Sequence, residues 1–501
     1  MGKNEIRVQY SGFIIFTAQI LSVITGLVFT LLLTRSMNTS EYGVWTNIFD
    51  YTGYFLLFSG LIPFWATRFV ARGQEGTIKT STVANLVIAL ASVAIYFPVI
   101  TIVSQAIGTQ AYLPIYFIAA LYILNNYVVL NLESCLRSVK PQVIGYGLLI
   151  EEVVKVAIAF IIIVGLGQLF LGAILSLTLS ALIQILYYLR LLAGEFKQKI
   201  RWSYLKEWFK GSAVILYNAA GLQLLAFVFI LLFYYGGSDT RAYYQAAFTF
   251  TNIIMYASSL AFAVYPKLLA KDCPDEQVGS SFRLVMMFAI PLAALTIAMS
   301  TSFLTVLNLA YSVAWPVLIM LTIDTLVVLV SQFYSSCLMG AEAFDAEGKI
   351  PFRQLFRTKI FKVFSLTFIQ AAIALPLVYF VLTEMESAGS VQLVVYVVAI
   401  NIGVHVSTLF GLYLFMRNSA RIPVDWRSMA KYVAASLIMA LALYLSPYPS
   451  TLLLTIAKTA VGMGIYIGLL LAIDKQARGL LKLIIEEIKG TLQQLLPKKN
   501  Q

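Results

Sequence analysis

Runs of about 20 mostly apolar residues recur from one end of this 501-residue chain to the other, and an α-helix needs a run of about that length to cross the hydrocarbon of a bilayer. Fourteen such spans are predicted, at 9–33, 44–62, 82–103, 113–130, 143–164, 169–189, 213–234, 243–264, 284–303, 313–333, 363–382, 391–415, 429–445 and 452–473. Backbone polar groups in hydrocarbon must be satisfied within the segment, so the expected fold class is an all-α polytopic membrane protein. The first run is too long for a cleaved signal peptide and has no A-x-A site after it, so it is expected to be retained as a span. Only 12% of the residues are charged, about half the share of a soluble domain. That excludes a cytosolic enzyme and a nucleic-acid-binding protein.

The basic residues fix an expected orientation. With the N-terminus inside and every span crossing, 31 of the 35 Lys and Arg fall in inside segments. Outside lie Arg35 and Arg241 alone, while Lys155 and Lys458 sit within spans. Positive charge collects on the cytoplasmic side, so the topology predicted is N-in and C-in, in the cell membrane. The net charge of +12 then needs no nucleic-acid partner. Cys135, Cys273 and Cys337 all fall on the inner side, where thiols stay reduced, and no disulfide is expected.

A weak internal repeat divides the chain. Ser134-Cys135-Leu136 recurs as Ser336-Cys337-Leu338, and Tyr42 before the second span matches Tyr243 before the eighth, with offsets of 202 and 201 residues. Six spans per half is an even number, so the halves are expected to be parallel six-helix bundles related by an axis along the membrane normal. The organisation predicted is an N-terminal bundle at 1–190, a basic cytoplasmic linker at 191–210 and a C-terminal bundle at 211–417. Two extra helices follow at 418–473, then an amphipathic inner-leaflet tail at 474–501.

Twelve spans in two parallel halves plus two more resemble the multidrug/oligosaccharidyl-lipid/polysaccharide (MOP) exporter superfamily. The segment Thr34-Arg35-Ser36-Met37-Asn38-Thr39-Ser40-Glu41-Tyr42-Gly43 is similar to the first outer loop of its polysaccharide-transporter branch, the Wzx-like oligosaccharide flippases. The stretch from Leu136-Arg137 to Glu151 resembles the same branch. The architectural resemblance covers the whole chain and the motifs about 30 residues of it. It implies a V-shaped pair of bundles that flips a lipid-linked oligosaccharide, on a polyprenyl phosphate or diphosphate, to the outer leaflet by alternating access. Such a protein would work beside glycan-assembly enzymes.

Charge inside a span is costly and marks a functional candidate. Asp50, Glu151, Glu152 and Asp324 are the candidate ion-coupling residues, for a proton or sodium ion. Lys155 lies roughly 18 Å from the inner end of its span, near the midplane. It is four residues from Glu151, a spacing at which the two neutralise each other, and Glu152 is expected to point elsewhere. His405, the only histidine, and Lys458 read more readily as packing and snorkelling residues. Phosphate calls for Arg or Lys, so Lys155, Arg35, Arg68, Arg137, Arg241 and Lys267 are the candidate substrate-binding residues, against lipid-headgroup anchoring as the plainer role.

A cation-coupled multidrug exporter of the same fold is the alternative function, and a membrane glycosyltransferase or polymerase a third. Every outside loop is too short for a donor-and-acceptor site, and no zinc-ligand cluster, P-loop or nucleophile elbow is present in the sequence. The expectation is a transporter rather than an enzyme, with no metal and no cofactor. A channel fits the two-halves layout poorly.

Overall fold

The structure, a computed structural model, describes residues 8–261, 275–340, 358–385, 387–417, 423–449, 451–475 and 477–479. Every regular element among them is helical. The helices are α1 (Val8–Ser36), α2 (Thr39–Phe55), α3 (Leu61–Ala71), α4 (Thr77–Ala106), α5 (Leu113–Val139), α6 (Gln142–Ala159), α7 (Leu169–Leu192) and α8 (Ser203–Gly211). They continue with α9 (Ala213–Met255), α10 (Asp275–Ala298), α11 (Ser300–Leu307), α12 (Trp315–Gly340), α13 (Lys359–Glu384), α14 (Ser390–Arg417), α15 (Trp426–Leu445) and α16 (Leu452–Ile473). Ten helices among the described residues are long and apolar enough to cross a membrane. The fold is that of a multi-pass membrane protein.

One of the ten, Ala213–Ser258, carries two predicted spans. Gly237 breaks it, with φ of 83° in the left-handed region that glycine reaches without a Cβ penalty. The predicted span 44–62 is not one helix. Here α2 stops at Phe55 and α3 starts at Leu61. Pro63 falls in the first turn of α3, where its missing N–H costs no hydrogen bond within the helix, so it suits a helix start after Gly60. The predicted span 143–164 changes to a π-helical turn over Phe160–Gly165, and α1 contributes the shorter apolar stretch Leu21–Ser36. The predicted tail helix lies outside the described residues from 480 onward.

Contacts divide the chain into two compact units. The first takes in the described residues of Met1–Thr249, Leu307–Val317 and Ile350–Val404, and so draws on both expected halves of the repeat. Within it α1 packs along α6, α6 on α7, α7 on α5, and α5 on α4 and α3. Lipid gives helices little hydrophobic reason to associate, so close packing and side-chain hydrogen bonds hold them. Asn85 Nδ2 donates to the Tyr127 carbonyl at 2.6 Å, and the Tyr116 hydroxyl to Asn47 Oδ1 at 2.9 Å. Cys135 and Leu136 are buried with Tyr188 and Leu192 in a core under α3 and α6.

The second unit takes in the described residues of Phe250–Val306, Leu318–Lys349 and His405–Gln501. Its α10 packs on α15, and α15 on α16. The Tyr466 hydroxyl donates to the Met287 carbonyl at 2.7 Å, tying α16 to α10.

Candidate functional site: buried ion pairs

The first pair joins α2 to α9. An Asn38–Glu41 capping box starts α2, with Asn38 Oδ1 accepting from the Glu41 N–H at 2.8 Å and the Glu41 carboxylate from the Asn38 N–H at 2.9 Å. That box gives Asn38 and Glu41 of the sequence motif a folding role. Three turns on, Asp50 accepts from Arg241 Nε and Nη2 at 2.8 Å each. Both side chains are buried, at 7% and 5% exposure. The guanidinium lies 4.7 Å from the Phe229 ring centroid and donates from Nη1 to Gln245 Oε1 at 3.1 Å. A bidentate carboxylate and an aromatic face are what a weakly hydrated guanidinium accepts in place of water.

This corrects the expected placement of Arg241 in an outside loop. It sits four residues past the Gly237 break, inside α9. The polar run Gly236-Gly237-Ser238-Asp239-Thr240 reads as a loop, yet it packs against the start of α2. Thr39 Oγ1 donates to Asp239 at 2.6 Å, and the Ser40 and Ser238 hydroxyls lie 2.7 Å apart. A Cβ on Gly43 would lie 1.9 Å from the Ser238 carbonyl oxygen, so this approach requires glycine. The repeat-matched Tyr42 and Tyr243 both set an edge against Tyr311, with centroids 6.0 and 6.2 Å away.

The second pair is Glu152–Lys155 on α6, with oxygen and nitrogen 2.7 Å apart and exposures of 6% and 9%. The expected Glu151–Lys155 pairing is thereby corrected. Ser22 and Thr25 of α1 donate to Glu152 at 2.9 and 2.5 Å. Two hydroxyls at helical spacing on the facing helix select Glu152 over Glu151, which is only half-buried. The sequence signal is Ser22 and Thr25, two hydroxyls at helical spacing on α1, 130 and 127 residues from Glu152. The Phe29 ring lies 5.8 Å from Lys155 Nζ.

The third pair lies in the second unit. His405 Nδ1 on α14 is 2.7 Å from Asp324 Oδ1 on α12. Reading His405 as packing missed that it is the partner of a candidate carboxylate. Lys458 directs its ammonium to the Ser446 and Pro447 carbonyls, both at 3.3 Å.

The remaining candidates are not brought together. Arg35 is exposed in the last turn of α1, and Arg137 is exposed in the last turn of α5. Arg68 lies on α3 over the Phe64 ring, 3.7 Å from its centroid, and bonds the Phe64 carbonyl. Lys267 lies outside the described residues. Among the described residues no His, Cys, Asp or Glu cluster fit for a metal is found.

Within the first unit, then, two cations sit deep in the protein, each held by a carboxylate. The fold around them is shared with solved structures of membrane transporters. The chain is similar to the solved structure of the lipid II flippase MurJ in an inward closed conformation, with a TM-score of 0.68 and 13% identity, over 94% of this chain and 100% of that one. It is also similar to a multidrug resistance MATE family transporter of the MOP superfamily in its inward-facing conformation, with a TM-score of 0.60 and 12% identity, over 79% and 95%. A MATE structure in complex with MaL6 matches with a TM-score of 0.56 and 12% identity, over 81% and 95%. No protein-family profile and no curated protein matches the sequence.

Proposed function

We propose that this protein flips a lipid-linked oligosaccharide, carried on a polyprenyl phosphate or diphosphate, from the cytoplasmic to the outer leaflet of the cell membrane. The observation that carries this reading is the pairing of both deep cations in the first unit, Lys155 and Arg241, with carboxylates. A phosphate, like a carboxylate, can present two anionic oxygens to Arg bidentately. An anionic headgroup takes the place of Asp50 or Glu152 on its cation, and the carboxylate takes it back when the cargo leaves. Both states then keep the buried cation paired with an anion.

Three further points support the reading. The likeness to the lipid II flippase extends over 94% of this chain, against about 80% for the MATE structures. The segment from Thr34 to Gly43 resembles the polysaccharide-transporter branch. The contacts of Thr39, Ser40 and Asp50 with Asp239, Ser238 and Arg241 link the two expected repeat halves, so alternating access must break them on one side of the cycle. The accompanying topology is fourteen crossings with both ends inside, and reporter fusions that place residue 446–451 outside and the tail inside would bear it out.

Asp324 with His405 is the proposed ion-coupling site, since a carboxylate and an imidazole 2.7 Å apart within spans mark a functional position. The multidrug exporter remains the second reading, favoured by the MATE likeness and by the carboxylates at depth. Proteoliposomes loaded with defined lipid-linked sugars, with and without proton and sodium gradients, separate the two. Sugar flipping supports the flippase. Export of a cationic dye with no sugar movement supports the exporter.

A further inference from the structure

The segment between the predicted sixth and seventh spans is pinned to the protein on one side and bare on the other. The Gln198 side-chain oxygen accepts from the Gly76 N–H, the Arg201 N–H donates to Thr80 Oγ1 at 2.9 Å, and the Tyr204 hydroxyl to the Glu75 carbonyl at 3.2 Å. Helix α8 then lays Tyr204, Leu205 and Trp208 onto Leu61, Ile62, Phe69 and Ala84. Trp208 is fully buried there, its ring 5.5 Å from that of Phe69.

The other stripe of the helix is different in kind. Trp202, Lys206 and Phe209 follow one another at four and three residues, so they share a face. Trp202 is 55% exposed, Phe209 52%, and Lys206 is exposed between them. Lys197, Lys199 and Arg201 extend the positive charge along the segment leading into the helix, and all three are exposed. The docked face already satisfies the core, so folding does not explain the bare aromatics.

We infer that this segment is a binding surface for anionic phospholipid headgroups of the leaflet on its own side of the membrane. An indole and a phenyl ring flanking a lysine match the interfacial zone, where the rings sit among acyl-chain ends and the ammonium reaches the phosphates. An acidic protein partner would use the basic residues but leave two half-exposed aromatic rings without a matching apolar depth. Because the segment joins residues before 194 to those after 211, the bound lipid anchors that connection at the leaflet surface. Each basic residue close to an anionic surface raises headgroup occupancy about fivefold.

The test uses the full chain in phosphatidylcholine nanodiscs carrying brominated acyl chains either on phosphatidylglycerol or on phosphatidylcholine. The Trp202 component is the fluorescence difference between the wild type and Trp202→Phe. Brominated phosphatidylglycerol is expected to quench that component more strongly than brominated phosphatidylcholine at equal mole fraction. Lys206→Gln should lower the preference about fivefold, and Lys199→Gln/Arg201→Gln/Lys206→Gln should abolish it. Equal quenching by the two lipids in the wild type overturns the inference. So does the absence of quenching by either, the outcome expected if the face stands clear of the bilayer. No transported cargo enters the measurement, so its result is independent of the flippase reading.

Discussion

Asp50 on α2 accepts two parallel hydrogen bonds from Arg241 on α9, Nε to Oδ2 and Nη2 to Oδ1, each 2.8 Å long. Removing one member leaves the other as an uncompensated buried charge. Arg241→Ala and Asp50→Ala are each expected to destabilise the protein by about 3–5 kcal/mol. Asp50→Asn/Arg241→Gln removes the conflict and should unfold near the wild-type temperature while losing lipid-linked sugar transport. Thermal unfolding and flux, measured on the same preparations, check this. A double variant that transports normally would make the pair purely structural.

The Glu152–Lys155 pair gives a sharper contrast, because two adjacent glutamates compete for one partner in the sequence. Glu152→Gln should lower protein abundance, and Glu151→Gln should leave it unchanged, since Lys155, Ser22 and Thr25 all converge on Glu152. Lys155→Arg keeps the charge and should retain part of the transport activity. Glu152→Gln/Lys155→Gln should restore abundance without restoring transport. Membrane immunoblots beside flux measurements read all four variants.

Asp324→Asn replaces a proton-accepting carboxylate by a neutral amide of the same shape beside His405. Under the proposed coupling it removes stimulation of transport by an imposed proton gradient. Movement of cargo down its own concentration gradient should persist. Stimulation unchanged in Asp324→Asn would move the coupling site away from this pair.

Asp425 caps α15, and its carboxylate accepts from the Ser428 hydroxyl at 2.8 Å and from Arg283 Nη1 at 3.1 Å. The Ser428 hydrogen bonds first, and Arg283 after them, hold its pKa below the ordinary aspartate value, against the opposing effect of burial. A depressed folded-state pKa contributes stability above the unfolded value and loses it as pH falls through the folded one. Asp425→Ala is therefore expected to cost about 1 kcal/mol at neutral pH. The gap between wild type and variant should narrow below about pH 4. Thermal unfolding across that range measures it.

How much of this was legible in the sequence depends on the length scale of each feature. Span positions followed from local composition, and Leu452–Ile473 coincides with its prediction residue for residue. The break between α2 and α3 was marked in the sequence by Gly60 and Pro63, a cap and a first-turn proline, but apolarity alone passed over them. Arg241 was misplaced because a Gly-Gly-Ser-Asp run reads as a solvent loop, and only tertiary contact with Asp50 and Gly43 shows it packed. The Lys155 partner depended on Ser22 and Thr25, about 130 residues away in sequence, a distance helical periodicity cannot bridge. Candidate charges were found by their cost in hydrocarbon. Their pairing required the fold.

The central claim is that a buried cation exchanges its carboxylate for the cargo's phosphate. Its most direct measurement compares transport of one oligosaccharide on two carriers, a polyprenyl diphosphate and a polyprenyl chain with an uncharged linkage, in proteoliposomes of the wild-type protein. The account predicts movement of the diphosphate-linked sugar alone, with loss of that movement in Asp50→Asn/Arg241→Gln. Equal rates for the charged and uncharged carriers would contradict it.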